Sequence, residues 1–195
     1  MRDQAAEQVG GRPSPDGDFT GRYQRVAPAL YVWASLRIRA GLREYCEVDD
    51  LLQEAWCRAY AIRHRFDAAE VEFRPWLFRI AKNVLFEVKR EARQCARAPH
   101  GQGRTSRLFV LEAVPDGVTS ITRRLARDEA LRRFRDRLDA LPEEDRELVV
   151  LVGIEGASQA DAAERLGMGY EALRKRWQRL RARLEAEGLP ETLLD

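Results

Sequence analysis

Apolar residues in this chain recur mainly three and four positions apart, the spacing that puts side chains on one face of an α-helix. In VDDLLQEAWCRAY (residues 48–60) the apolar side collects Leu52, Ala55, Trp56 and Ala59, and Ile62 continues it. In FRPWLFRIAKNVLFEVKREARQ (residues 73–94) the inward stripe is Trp76, Ile80 and Val84, with Leu77 and Val88 beside it. Leu131, Phe134, Leu138 and Leu141 make a third stripe, and Leu173, Trp177, Leu180 and Leu184 a fourth. Extended runs of alternating Val, Ile and Thr, the pattern of strands, are absent. The expected fold class is all-α.

Breaker residues divide this helical text. Residues 1–20 are rich in Gly, Pro and Asp and read as a disordered tail. Helical pattern fills 21–95, interrupted only by Pro28, Gly41 and Pro75. From 96 to 122, Gly, Pro, Ser and Thr are scattered throughout, the composition of a flexible linker. Periodicity returns over 123–187 and a short tail, 188–195, follows. The spacing therefore predicts two small helical domains on a tether.

In the second half, Pro142 suits the first turn of a helix, with EED behind it at the positive end of the dipole. RELVVLVGI carries that helix to a stop near Gly156. Ser158 with Asp161 three residues on resembles a capping box. Leu166-Gly167 ends the short helix they open, and another begins after Met168. Ala162 and Ala163 are small where the two must pack closely. A short helix, a Gly turn and a second helix make a helix-turn-helix.

Composition adds little until charge is placed along the chain. Of 195 residues 34% are charged, yet the net charge is only +2, so overall balance does not announce a polyanionic partner. Its distribution does. Opposite the Leu173–Leu184 stripe lie Glu171, Arg174, Lys175, Gln178 and Arg179, with Arg176 at the flank. Residues 174–183 hold six basic side chains and no acidic one. A solvated helix face usually mixes signs. Arg and Lys bind phosphates or guanine, and Gln pairs with adenine, in a major groove. Glu171, Arg174, Lys175 and Gln178 are expected near bases, with Arg176, Arg179 and Arg181 nearer phosphates.

Two other faces carry chemistry. Along residues 73–94, Arg79, Lys82, Asn83, Phe86, Lys89, Arg90 and Arg93 lie largely off the apolar stripe. An aromatic ring among cations is what unstacked bases need; a core helix with a solvated face fits the same residues. On residues 48–60 the outer face is Asp50, Gln53, Glu54, Cys57 and Ala61, with Arg58 at its edge. Small residues ringed by polar ones describe a surface that another helix can approach.

Other classes are disfavoured. Cys46, Cys57 and Cys95 are too few and scattered for a disulfide framework or a zinc site, and they read as reduced packing residues. No metal and no cofactor is expected. No apolar run approaches the ~18–20 residues of a membrane span, and no signal peptide is visible. No nucleophile–base constellation or phosphate-binding Gly loop suggests an enzyme.

The motifs D-L-x-Q-E, W-L-F-x-I-A-x-N and L-P-E-x-x-R-E, in this order, resemble those of extracytoplasmic-function (ECF) sigma factors, compact two-domain specificity subunits of bacterial RNA polymerase. The resemblance implies that Asp50, Gln53, Glu54, Cys57 and Arg58 dock on the coiled coil of the polymerase β′ subunit. It implies that residues 73–93 melt the −10 element and capture a base of the single strand. The helix-turn-helix would read the −35 element as duplex and sit near the β flap, while the linker threads toward the RNA exit path. It further implies an anti-sigma factor as partner and a bacterial cytoplasmic, nucleoid-associated location. Two departures stand out. Cys57 replaces a larger aliphatic residue, and the turn GMGYEAL lacks the usual Ser or Thr start, which bears on the −35 sequence read. The rival functions are a helix-turn-helix regulator and a sigma-like adaptor that binds polymerase without initiating transcription. A plain regulator has no need of the DDLLQE helix or the aromatic-basic segment.

Overall fold

The computed structural model describes residues 15–97 and 116–188, and every regular element among them is helical. The expected tails at 1–14 and 189–195, and the expected linker between 98 and 115, lie outside the described residues. The first domain comprises α1 (Pro15–Arg37), the single turn α2 (Ala40–Arg43), α3 (Val48–Ala61) and α4 (Phe73–Cys95), with a short 3₁₀ turn at Arg63–Arg65. α5 (Asp116–Arg127) leads into the second domain of α6 (Glu129–Asp139), α7 (Glu143–Leu148), α8 (Gln159–Leu166) and α9 (Tyr170–Ala186).

Two expected boundaries move. The N-terminal tail ends earlier than residue 20, because α1 begins at Pro15 and Phe19 is buried. The Phe19 ring sits 5.2 Å from Trp56, 5.4 Å from Phe73 and 5.8 Å from Tyr60. Aromatic pairs of this kind contribute ~0.5–1.5 kcal/mol each beyond area burial, enough to order a Gly- and Asp-rich helix start. The linker likewise ends before residue 122: 116–122 are helical, and Ile121 and Leu125 of α5 join the core.

Pro28 does not break α1. A proline inside a helix costs ~3 kcal/mol, but Val26, Ala27, Ala29, Leu30, Val32 and Trp33 around it are all buried. Full burial of one large apolar side chain contributes ~1.5–3 kcal/mol, so packing prevails over propensity. α3 starts at a capping box, in which Glu47 and Asp50 exchange side-chain and backbone hydrogen bonds. Its core residues are Leu51, Leu52, Ala55, Trp56 and Ala59, Leu51 being an addition to the expected stripe. α4 buries Trp76, Leu77, Ile80, Val84 and Val88 as expected, and Phe78, Ala81, Leu85 and Ala92 as well.

In the second domain Asp128 caps α6 by accepting from the backbone N–H of Ala130 and Leu131. Leu131, Phe134 and Leu138 are buried, and Leu141 is partly so. Pro142 is the residue that precedes α7 rather than its first helical residue. The helical run then widens into a π-helical segment at Val149–Ile154 and stops at Gly156 (φ +71°). The Ser158 hydroxyl accepts from Asp161 N–H to open α8. Gly167, in the left-handed conformation (φ +63°), closes it; a side chain there would be strained, so glycine fits the turn.

The domains touch. α1 packs against α5, α6 and the π-helical segment, and the buried apolar residues form one continuous cluster. Arg37 on α1 makes a two-pronged ion pair with Glu147 on α7, 2.9 and 3.2 Å.

Candidate nucleic-acid interface

α9 separates its two faces cleanly. Leu173, Trp177, Leu180 and Leu184 are buried, and Ala162 and Ala163 of α8 are buried with them. Glu171, Lys175, Gln178 and Arg179 are exposed. Arg174 is partly exposed, and its guanidinium is held by Glu171 at 2.9 Å, one turn back. The helix therefore presents, from its N-terminus, an ordered Glu–Arg pair and then free cations and an amide.

Arg176 is engaged within the protein. Its Nε donates to Asp145 Oδ1 and its Nη1 to Glu144 Oε2, both at 2.7 Å. These two hydrogen bonds hold its proton above the usual arginine range. The side chain is 27% exposed and clamps α9 to the start of α7. Its position at the flank of the helix brings it within reach of both carboxylates. Arg181, by comparison, pairs with Glu185 on its own helix.

The structure splits the α4 residues into two sets. Arg79, Asn83, Phe86, Arg90 and Arg93 are exposed at alternating intervals of four and three, a single outward face. Phe86 is 65% exposed, an unusual setting for a ring in an otherwise apolar-inward helix. It borders a hollow of about 500 Å³ lined by Arg58, Ile62, Ile80, Asn83, Glu87 and Arg90, among others. Lys82 and Lys89 are half-buried on the other flank, which faces the second domain. Lys82 Nζ pairs with Glu155. Lys89 lines a smaller cleft with Arg37, Arg39 and Arg146, and burial, then Arg37 and Arg93, push its pKa down.

The α3 face is partly used from within. Asp50 accepts the Glu47 N–H at 2.9 Å, so its carboxylate caps the helix. Arg58 bridges Glu54 (2.5 Å) on α3 and Glu87 (2.7 and 2.8 Å) on α4. It is thus a brace that fixes Glu54 and joins the two helices, with its proton held more tightly, first by Glu87 and then by Glu54. Gln53 and Cys57 remain partly accessible between them. Burial and the neighbouring Glu54 raise the Cys57 thiol above its ordinary pKa. Asp49, beside this face, is raised by burial and by Asp50 and Glu47, against the pull of Arg123 on α5.

Helical spacing does not point to Trp33, which donates to Glu155 across the domain seam, or to Arg74, which donates to Gly153 O across it. It also passes over Arg63, whose guanidinium lies 3.8 Å over the Tyr60 ring beside the hollow. The basic tripeptide Arg63–Arg65 directly after α3 was the available signal for the last. Cys46 is buried as expected, whereas Cys95, at the end of α4, is exposed. Among the described residues no group of three or more His, Cys, Asp or Glu is placed to hold a metal ion. No described helix is long and apolar enough to cross a membrane.

The described residues thus combine a basic helix-turn-helix with a separate aromatic-basic helix face. Sequence comparison takes this further. Sigma-70 region 2 matches residues 22–94, and sigma-70 region 4 matches 131–184. The RNA polymerase sigma factor NccH of Alcaligenes xylosoxydans xylosoxydans is 30% identical over 95% of this chain and 96% of its own. The ECF RNA polymerase sigma factor EcfG of Rhodopseudomonas palustris is 32% identical over 71% of this chain and 69% of its own. A solved structure of the sigma factor RpoE with the anti-sigma factor NepR, from Bartonella quintana, covers 87% of this chain and 95% of that one, at 23% identity and a TM-score of 0.45. The chain belongs to the ECF sigma factors of the sigma-70 family, RNA polymerase specificity subunits that do not themselves catalyse a reaction.

Proposed function

We propose that this ECF sigma factor engages promoter DNA through two separate surfaces and core polymerase through a third. The exposed face of α4, with Phe86, Asn83, Arg79, Arg90 and Arg93, takes the single-stranded −10 element. The observation that carries this is Phe86: a ring left mostly in solvent beside a cation-lined hollow large enough for a base. Stacking one base on an aromatic side chain contributes ~1–3 kcal/mol. Glu171, Arg174, Lys175, Gln178 and Arg179 of α9 meet the −35 duplex, and Arg176 holds α9 in place. Gln53, Glu54 and Cys57 form the face toward the β′ coiled coil, braced by Arg58 and capped by Asp50. Tethering the two DNA surfaces raises the effective concentration of the second once the first is bound. The β flap and an anti-sigma factor complete the expected partners, and the work is done in the bacterial cytoplasm at the nucleoid.

The test is run-off transcription with purified core polymerase on genomic promoter fragments. A promoter-specific transcript that depends on this chain is the expected result. Core binding without any such transcript would support the adaptor reading instead.

A further inference from the structure

Four large apolar side chains are exposed among the described residues: Tyr45, Val71, Phe86 and Tyr170. Phe86 lies in the face assigned to the −10 strand. Tyr170, 49% exposed, is the first residue of α9. A single ring in solvent needs no partner on that ground alone; what gives this one a use is its place. It follows Gly167, Met168 and Gly169 in the turn between α8 and α9. A side-chain carbon added at Gly167 or Gly169 would meet nothing within 4 Å, so the turn is open on both sides of Met168. Met168 itself is partly buried against the core. The approach to the ring from beyond the helix end is therefore clear.

Side chains on an α-helix lean toward its N-terminus, so those of the first turn project past the helix tip. Behind Tyr170 come Glu171 and Arg174, paired at 2.9 Å, and then the exposed Lys175 and Gln178. Tyr170 and Arg174 are four residues apart, which makes them neighbours on the helix surface. The ring thus extends the recognition face at its N-terminal edge, the end of such a helix that meets base edges. Each polar residue of that face has a counterpart in a major groove: Arg for guanine N7 and O6, Glu for cytosine N4. A phenol ring cannot stack on bases that stay paired and stacked in a duplex. Its apolar surface has one counterpart there, the 5-methyl group of thymine.

We infer that Tyr170 is a specificity-determining residue of the −35 interface, its ring packing on the 5-methyl group of a thymine in the major groove. This rests on the assignment of α9 to the −35 duplex. The ring selects a base that none of the charged residues of α9 distinguishes through its methyl group, and the phenol hydroxyl takes no part.

The experiment uses holoenzyme assembled from the full chain and core polymerase, on the promoter fragment that yields a transcript in the run-off assay. Each thymine of the −35 element, on either strand, is replaced in turn by deoxyuridine, which removes the methyl group and keeps every hydrogen bond. At one position wild-type holoenzyme should bind about fourfold more weakly, the loss expected for one buried methyl group. That measurement needs no variant of the protein. Tyr170→Ala should bind the thymine and uracil duplexes alike, and Tyr170→Phe should discriminate between them as the wild type does. Equal wild-type binding to every thymine and uracil duplex would overturn the role of Tyr170. So would discrimination that survives in Tyr170→Ala, or a −35 element without thymine. Lys175→Ala in the same assay keeps the two levels apart. A flatter salt dependence in that variant, with no uracil effect in the wild type, removes Tyr170 and leaves α9 on the −35 duplex. No change from either removes the α9 assignment itself.

Discussion

Replacing Arg176 by alanine separates a positioning residue from a DNA contact. The substitution removes hydrogen bonds of 2.7 Å to both Asp145 and Glu144. The two are unequal, because the Asp145 side chain is 18% exposed and that of Glu144 76%. An exposed ion pair contributes ~0.2–1 kcal/mol, and a hydrogen bond to a charged group in a more sheltered place ~1.5–3. Most of the destabilisation therefore comes from Asp145, and the total should be about 1–2 kcal/mol. For a chain of this size that lowers the midpoint of thermal unfolding by about 2–8 °C. The companion measurement is holoenzyme binding to a −35-containing promoter over a range of salt concentrations. Removing one cation from a DNA phosphate flattens the slope of log K against log salt by ~0.9. Arg176→Ala should lower the melting midpoint and leave the slope unchanged. Lys175→Ala, at an exposed site, should do the reverse. An Arg176→Ala protein with wild-type stability and a flatter slope would refute the positioning role and return Arg176 to the DNA.

Phe86→Ala should leave stability nearly unchanged, since the ring is mostly in solvent, while weakening −10 strand capture by ~1–3 kcal/mol; permanganate footprinting of the melted promoter checks it. Both Gly156→Ala and Gly167→Ala force alanine into a left-handed conformation, a strain of ~1–2 kcal/mol. Only Gly156 also crowds a neighbour, Arg74, so its denaturation midpoint should fall further. Thiol titration of the native chain should label Cys95 first and leave Cys46 untouched until unfolding. Burial, then Asp50 and Glu47, push the Cys46 pKa from 9.0 up to about 12. The native thiol thus keeps a proton that the unfolded chain gives up. Its stabilising effect is complete below pH 9 and declines as pH rises toward 12. Tyr23, also raised by burial, adds a loss of the same sign from about pH 10. Cys46→Ala should flatten the earlier part of that decline in urea midpoints; an equally steep decline in the variant would refute the assignment.

How much was legible in advance follows from the range over which each determinant acts. The α4 stripe of Trp76, Ile80 and Val84 and the α9 stripe of Leu173, Trp177, Leu180 and Leu184 depend on a period of 3.6 residues, which any short window displays. The Ser158 cap and the Gly167 turn are equally local. Boundaries failed where packing overrode composition: at Phe19, whose Gly- and Asp-rich surroundings hide an aromatic cluster, and at Ile121, whose helix starts inside linker-like text. Pro28 is the same effect, a strong local breaker overcome by burial on both sides.

The faces were visible in one dimension; their division was not. Periodicity places Lys82 and Phe86 together off the apolar stripe, yet one flank of α4 meets the second domain and the other meets solvent. Arg176 at the flank and Arg179 on the outer face are both expected near phosphates, and only the approach of α7 distinguishes a brace from a free cation. The sequence by itself determined the helices, their apolar stripes and the helix-turn-helix, because those depend on neighbours a few residues away. The tertiary structure alone decided which charges are spent inside the protein. Trp33 and Lys82 reach Glu155 across 122 and 73 residues, and nothing in local spacing encodes a contact over such a separation.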